Sequence, residues 1–205
     1  FDFLNECHVR WQQNDLGQMA ANSITKNGSL LTAMDLSVPR KLPFVFSVDV
    51  WDEGVTDQGE SLRCWAFASL NVVRQNVKQR LNLKERNFEL SQNYIYFYDQ
   101  LEKSSTFLNA IIALLDKPLT SPEMVQLLQR PIVDNGQWFT FAKLVDKYGV
   151  VPKYVMPDTQ CSPDTKYVTR ILESKLRLAA KQLRDADATD ASHEDIYEIK
   201  QRHLA

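Results

Sequence analysis

The chain has 205 residues, 44 % hydrophobic and 24 % charged, with 24 basic residues against 26 acidic ones and a net charge of −2. That composition excludes a disordered chain and gives no support for a basic nucleic-acid surface. No apolar run approaches the ~18 residues a membrane span needs, and the opening FDFLNECHVRWQQN has neither the charged nor the apolar region of a signal peptide.

The first residue is not Met, which reads as a fragment boundary, and the 6 glycines lean the chain toward helix. Residues 1–40 mix short helical stretches with turn signals such as LTAMDLSVPRKLP. In FVFSVDVW (44–51), Phe44, Phe46, Val48 and Val50 alternate onto one face and predict a strand. WDEGVTDQGES then reads as an acidic loop. Ala66, Leu70, Val73, Val77 and Leu81 form one apolar stripe at helical period and predict a helix that starts near Cys64. FELSQNYIYFYDQLEK predicts a second helix, capped by Ser91, with Tyr94, Phe97, Tyr98 and Leu101 toward the core. FLNAIIALLD predicts a third helix. SPEMVQLLQ predicts a fourth, with Ser121 as cap and Pro122 at the first position, ended by Pro131. Gln137 to Tyr148 predict a fifth, closed by Gly149, and VVPKYVMPD an extended stretch. From about Pro163 the chain turns charged and helical, with a narrower stripe of Val168, Leu172, Leu176, Ala179 and Leu183.

Cys7, Cys64 and Cys161 are too few and too scattered for a disulfide framework. Neither they nor His8, His193 and His203 have metal-ligand spacing, so no metal and no cofactor is expected. Reduced thiols and a cytoplasmic location follow as the default.

TDQGESLRCWAFASLNVVR (56–74) places Cys64 where a loop becomes a helix. A thiol with its ordinary pKa near ~8.5 is mostly protonated at neutral pH, and a helix N-terminus favours its thiolate. Acyl transfer also needs oxyanion donors, which the Cys64 N–H and the Gln58 amide would supply if the loop 59–63 folds back. Trp65 would wall the thiol on one side. On helix position alone, a buried packing cysteine remains the commoner reading.

The string Gln58…Ser61-Leu62-Arg63-Cys64-Trp65-Ala66-Phe67-Ala68…Leu70-Asn71 resembles the nucleophile segment of papain-like cysteine peptidases, and more closely the branch of bleomycin hydrolase and bacterial aminopeptidase C. ITKNG (24–28), ELSQNYIYFYDQLEK (89–103), and NGQW (135–138) followed by KYGVVPK (147–153) resemble further motifs of that branch, in order. The likeness runs from about residue 20 to about residue 185. It implies an α+β papain-like fold, represented mainly by the helical cysteine-bearing domain. The implied division is 1–43 as an N-terminal extension, 44–160 as that domain, and 161–205 as the start of an inserted helical region. It also implies a thiol aminopeptidase with Cys64 as nucleophile, Gln58 in the oxyanion hole, and Trp65, Asn135 and Gly136 along the substrate cleft. Peptides are the expected partners, without membrane or nucleic acid, and a homo-oligomer is expected because the family forms hexameric barrels. Two positions depart from the family pattern: Leu62 and Asn135 stand where it usually has Gly.

A cysteine peptidase needs a histidine base oriented by an asparagine. His203 lies 139 residues after Cys64, inside the spacing such enzymes use, but SHEDIYEIKQRHLA reads as a charged helix capped at Ser192 and Asp195. The family's histidine stands on a strand, so His8, His193 and His203 read as surface residues. The chain therefore resembles the nucleophile-bearing half, with the base expected in other sequence. A non-catalytic scaffold or peptide-binding module of the same fold is the alternative.

Overall fold

The computed structural model describes residues 1–205 except 43, 44, 46, 48–53 and 134. The predicted strand residues Phe44, Phe46, Val48 and Val50 lie outside the described residues. Residues Phe1–Trp51 and Asp52–Ala205 form two compact units.

In the first unit, α1 (Asp2–Gln12) and α2 (Asp15–Ala33) are longer than the short stretches expected. The turn between them is satisfied locally. Asn14 caps α2 by accepting from the Gly17 N–H at 2.9 Å, and Gln18 Nε2 donates to the carbonyls of Trp11 and Gln12 at 2.9 and 3.0 Å. Gly28, the last residue of ITKNG, interrupts α2 with φ +79°. A short α3 (Ser37–Lys41) follows, and no residue of these three helices is buried.

The second unit begins its helices with α4 (Cys64–Leu81), which starts at the cysteine and ends at Asn82 with φ +50°. Of the predicted stripe, Ala66 and Leu70 are buried, Val73 and Val77 pack at the margin, and Leu81 is exposed. Ser91 caps α5 (Gln92–Ala113) by accepting from the Tyr94 N–H at 3.0 Å. This helix corrects two expectations. It runs unbroken into the stretch expected as a third helix, because 101–107 hold no Gly or Pro and the Ser104 and Thr106 hydroxyls donate to the carbonyls one turn back. Its buried residues include Ile95, Tyr96, Asp99, Phe107, Leu108 and Ile111, whereas Phe97 is 50 % exposed. The reason is that α5 serves two cores along its length, so one stripe does not describe it.

Helix α6 (Pro122–Gln129) has the expected Ser121 cap, and α7 (Trp138–Tyr148) ends at Gly149 with φ +75°. Helices α8 (Lys166–Asp187) and α9 (His193–Leu204) complete the chain, the latter opened by the Ser192–Asp195 capping box. One core gathers Trp65, Ala66 and Leu70 of α4, Leu90, Ile95 of α5, and Phe141 and Leu144 of α7. The other gathers Phe107, Leu108 and Ile111 of α5 with Met124, Ile132, Ile196 and the Leu176–Leu183 face of α8. Among the described residues, β-pairing is one antiparallel bridge between Leu90 and Pro152. No helix among them is long and apolar enough to cross a membrane.

Candidate active site

The loop before Cys64 is built from tight local turns. The Asp57 carboxylate accepts from the Gly59 N–H at 2.8 Å, and the Gln58 carbonyl accepts from the Ser61 N–H and hydroxyl at 3.3 and 2.7 Å. The chain thus reverses over 58–61, as folding Gln58 back toward α4 requires. Gly59 has φ +59°, and a Cβ there would lie 2.8 Å from the Pro163 carbonyl oxygen, so two independent reasons demand glycine. Leu62 is exposed and holds φ +56°. A left-handed backbone is one that glycine adopts freely, and Leu sits there at a steric cost of about 1–2 kcal/mol.

Arg63 is the N-cap residue of α4, and its carbonyl accepts from the Ala66 and Phe67 N–H groups at 2.9 and 3.1 Å. The N–H of Cys64 therefore stands ahead of the first intrahelical bonds, without a partner inside the helix. The Cys64 side chain is exposed at this helix end, while Arg63 and Trp65 on either side are buried. The packing-residue reading of Cys64 does not fit that exposure.

Arg63 was missed by sequence reasoning. Only 1 % exposed, it donates from Nε to Ser61 Oγ at 3.0 Å, from Nη1 to Asn93 Oδ1 at 2.6 Å, and from Nη2 to the Ser162 carbonyl at 2.6 Å. Its guanidinium also lies 5.3 Å from the Phe67 ring and 5.5 Å from that of Tyr96. Asn93 in turn donates to the Pro157 carbonyl at 2.7 Å, and Thr165 Oγ1 donates to the Ser61 carbonyl at 3.0 Å. The turn that presents Cys64 is thereby fastened to α5 and to the loop before α8.

The structure brings Trp65 and Gly136 together. Gly136 lies so close to the indole that a Cβ would overlap Cδ2 and Cε2. Asn135 is exposed, its N–H donates to the Val133 carbonyl at 2.9 Å, and its own carbonyl accepts from Lys103 Nζ at 2.8 Å. The expected main-chain pairing through Asn135 thus meets groups that already have partners inside the chain. Gln58 Oε1 and Trp65 Nε1 are buried without a hydrogen-bond partner among the described residues. Along the α5–α7 seam, Lys147 and the Tyr148 hydroxyl both donate to Glu102. These bonds hold the Glu102 carboxyl below its ordinary range and push Lys147 up to about 12.

The three histidines stand on helices. His8 pairs with Gln12 at 3.0 Å on α1, His203 pairs with Gln182 at 2.7 Å, and His193 is the first residue of α9. All three cysteines are free thiols, and no group of His, Cys, Asp or Glu among the described residues is arranged to hold a metal.

The Peptidase C1-like family model matches residues 1–205. Aminopeptidase C of Streptococcus thermophilus is 35 % identical over 203 residues, covering 99 % of this chain and 45 % of that protein. Aminopeptidase C of Listeria monocytogenes is 37 % identical over 186 residues, covering 91 % and 42 %. The crystal structure of pepw from Lactobacillus rhamnosis superposes with a TM-score of 0.84 at 35 % identity, over 98 % of this chain and 45 % of that one. The chain spans less than half the length of these relatives, and it aligns with them through both of its units. A match over its whole length, joined to an exposed cysteine at the mouth of α4, shows that this chain belongs to the Peptidase C1-like family.

Proposed function

We propose that this chain is the nucleophile-bearing half of a cysteine aminopeptidase. The observation that carries the reading is the exposed Cys64 thiol at the N-terminus of an otherwise buried helix face, between buried Arg63 and Trp65. The names of the relatives supply the reaction class. Cys64 Sγ attacks the carbonyl of the N-terminal residue, its thiol proton passing to a histidine in other sequence. The tetrahedral oxyanion is held by the Cys64 N–H and the Gln58 amide. Collapse expels the amine, which takes the proton back, and water hydrolyses the thioester. Trp65 walls the thiol, and the segment at exposed Asn135 and half-buried Gly136 borders the cleft, with Gly136 left to pair with the peptide main chain. The family's hexameric barrels, with sites facing inward, imply that the full-length protein excludes folded substrates. Residues 44–160 are proposed as the cysteine-bearing domain, after an N-terminal extension (1–43), with 161–205 entering an inserted helical region.

A second reading, a peptide-binding scaffold, is favoured by the histidines alone, since His8 and His203 are occupied by glutamines on helices. Hydrolysis of leucine p-nitroanilide by the full-length product separates the two. Cys64→Ala should abolish turnover and His203→Ala should leave it unchanged; full activity in the Cys64→Ala protein refutes the assignment.

A further inference from the structure

Lys103 is held at the junction of three features that the proposed chemistry uses separately. Its Nζ lies 2.7 Å from Asp99 Oδ2, donates to the Asn135 carbonyl at 2.8 Å, and stands 6.0 Å from the centre of the Trp65 ring. Asp99 is 1 % exposed, one helical turn before Lys103 on α5, and its Oδ2 also accepts from Gln100 Nε2 at 3.1 Å. A carboxylate so deeply buried binds a cation strongly, which pins the flexible lysine in one rotamer. The pinned ammonium then fixes the height of the Asn135 carbonyl. Two restraints that reach beyond the segment's own turn thus act on it among the described residues: the Lys103 bond to Asn135 and the seat of Gly136 on Trp65. Neither involves Arg63, which fastens the Cys64 turn through Ser61, Asn93 and Ser162.

We propose that Lys103, anchored by Asp99, is a positioning residue for substrate: it holds 135–136 against Trp65 so that the Gly136 backbone meets an incoming peptide in register. This rests on the cysteine-peptidase reading above. Because the nucleophile turn has its own fastening, loss of Lys103 weakens substrate capture and spares the chemical step. Single removal of Lys103 would take the neighbouring ammonium from the buried Asp99 carboxylate, so the informative variant is the double change Lys103→Met with Asp99→Asn, beside Lys103→Arg.

In the full-length protein, the double variant should raise KM for leucine p-nitroanilide about 10-fold, with kcat and the rate of Cys64 alkylation by iodoacetamide within about 3-fold of wild type. Lys103→Arg should keep KM within about 3-fold. Binding of leucyl-alanine, followed by tryptophan fluorescence in a Cys64→Ala background, should weaken in parallel with KM. An unchanged KM, or a fall in kcat and alkylation with KM constant, overturns the proposal and leaves the peptidase reading standing. A wild-type protein that neither turns over the anilide nor binds the dipeptide overturns both.

Discussion

Gly136 seats its backbone directly on the fused ring bond of Trp65, the neighbour of Cys64. Its φ is not among the left-handed values of the chain, so glycine is required here by space alone. Gly136→Ala should therefore destabilise by overpacking, at about 1–3 kcal/mol. It should also shift tryptophan emission and raise KM. Thermal unfolding and emission spectra check this; a variant that matches wild type in both contradicts the contact.

Leu62 offers the opposite change. Its φ of +56° carries a steric cost that glycine removes, partly offset by the larger unfolded-state entropy of glycine. Leu62→Gly should gain up to about 1 kcal/mol, and Leu62→Val should lose stability because branching at Cβ worsens the strain. Denaturant midpoints of the three proteins give the order; Val above Gly would reject the explanation.

Arg63→Ala removes three charge-assisted bonds and leaves Asn93 Oδ1 and the Ser162 carbonyl buried without that donor. The expected loss is at least about 1.5–3 kcal/mol, the range for one hydrogen bond made by a charged group. Arg63→Lys keeps the charge without the fork, so its loss should be smaller. The rate of Cys64 alkylation should change in both, since the turn presenting the thiol loosens. Chemical denaturation with parallel thiol labelling measures the two effects.

The Glu102–Lys147–Tyr148 group sets a pH dependence whose sign follows from the shifts. Hydrogen bonds from Lys147 and Tyr148 lower the Glu102 pKa in the folded state. Its contribution is thus complete above the unfolded carboxyl value and lost as pH falls through the lower folded one. The hydrogen bond to Glu102, with a second to Tyr148, raises Lys147 to about 12, so its contribution fades as pH rises toward that value. Glu102→Gln should lower Tm at neutral pH, and the gap to wild type should shrink in acid. A gap that widens below about pH 4 reverses the sign and rejects the account.

Features set by neighbours in sequence were legible from the residues alone. The start of α4 at Cys64, the caps at Ser91 and Ser121, and the Ser192–Asp195 box each rest on a few adjacent side chains. The helix through Phe107 was split in the sequence reading because polar LEKSST interrupts the apolar stripe, although nothing there breaks a backbone. Phe97 was expected inside and is not, since Asp99 and Asn93 take the buried side, where they hold Lys103 and Arg63. A lone arginine or lysine in a sequence reads as solvated. Only partners 30, 32 and 99 positions away reveal that Arg63 and Lys103 are structural parts of the candidate site.

The fastening of the Cys64 turn also has a history within folding. Its bonds to Ser162, Thr165 and Lys166 close loops of 99, 104 and 106 residues. Closing so long a loop costs entropy that only the finished packing of α5 and α8 repays. The Cys64 thiol consequently acquires its socket late, after residues through 166 have been synthesised and drawn in. Under the function proposed above, this order of assembly keeps the nucleophile unarmed for as long as the protein's own unfolded chain is the nearest substrate.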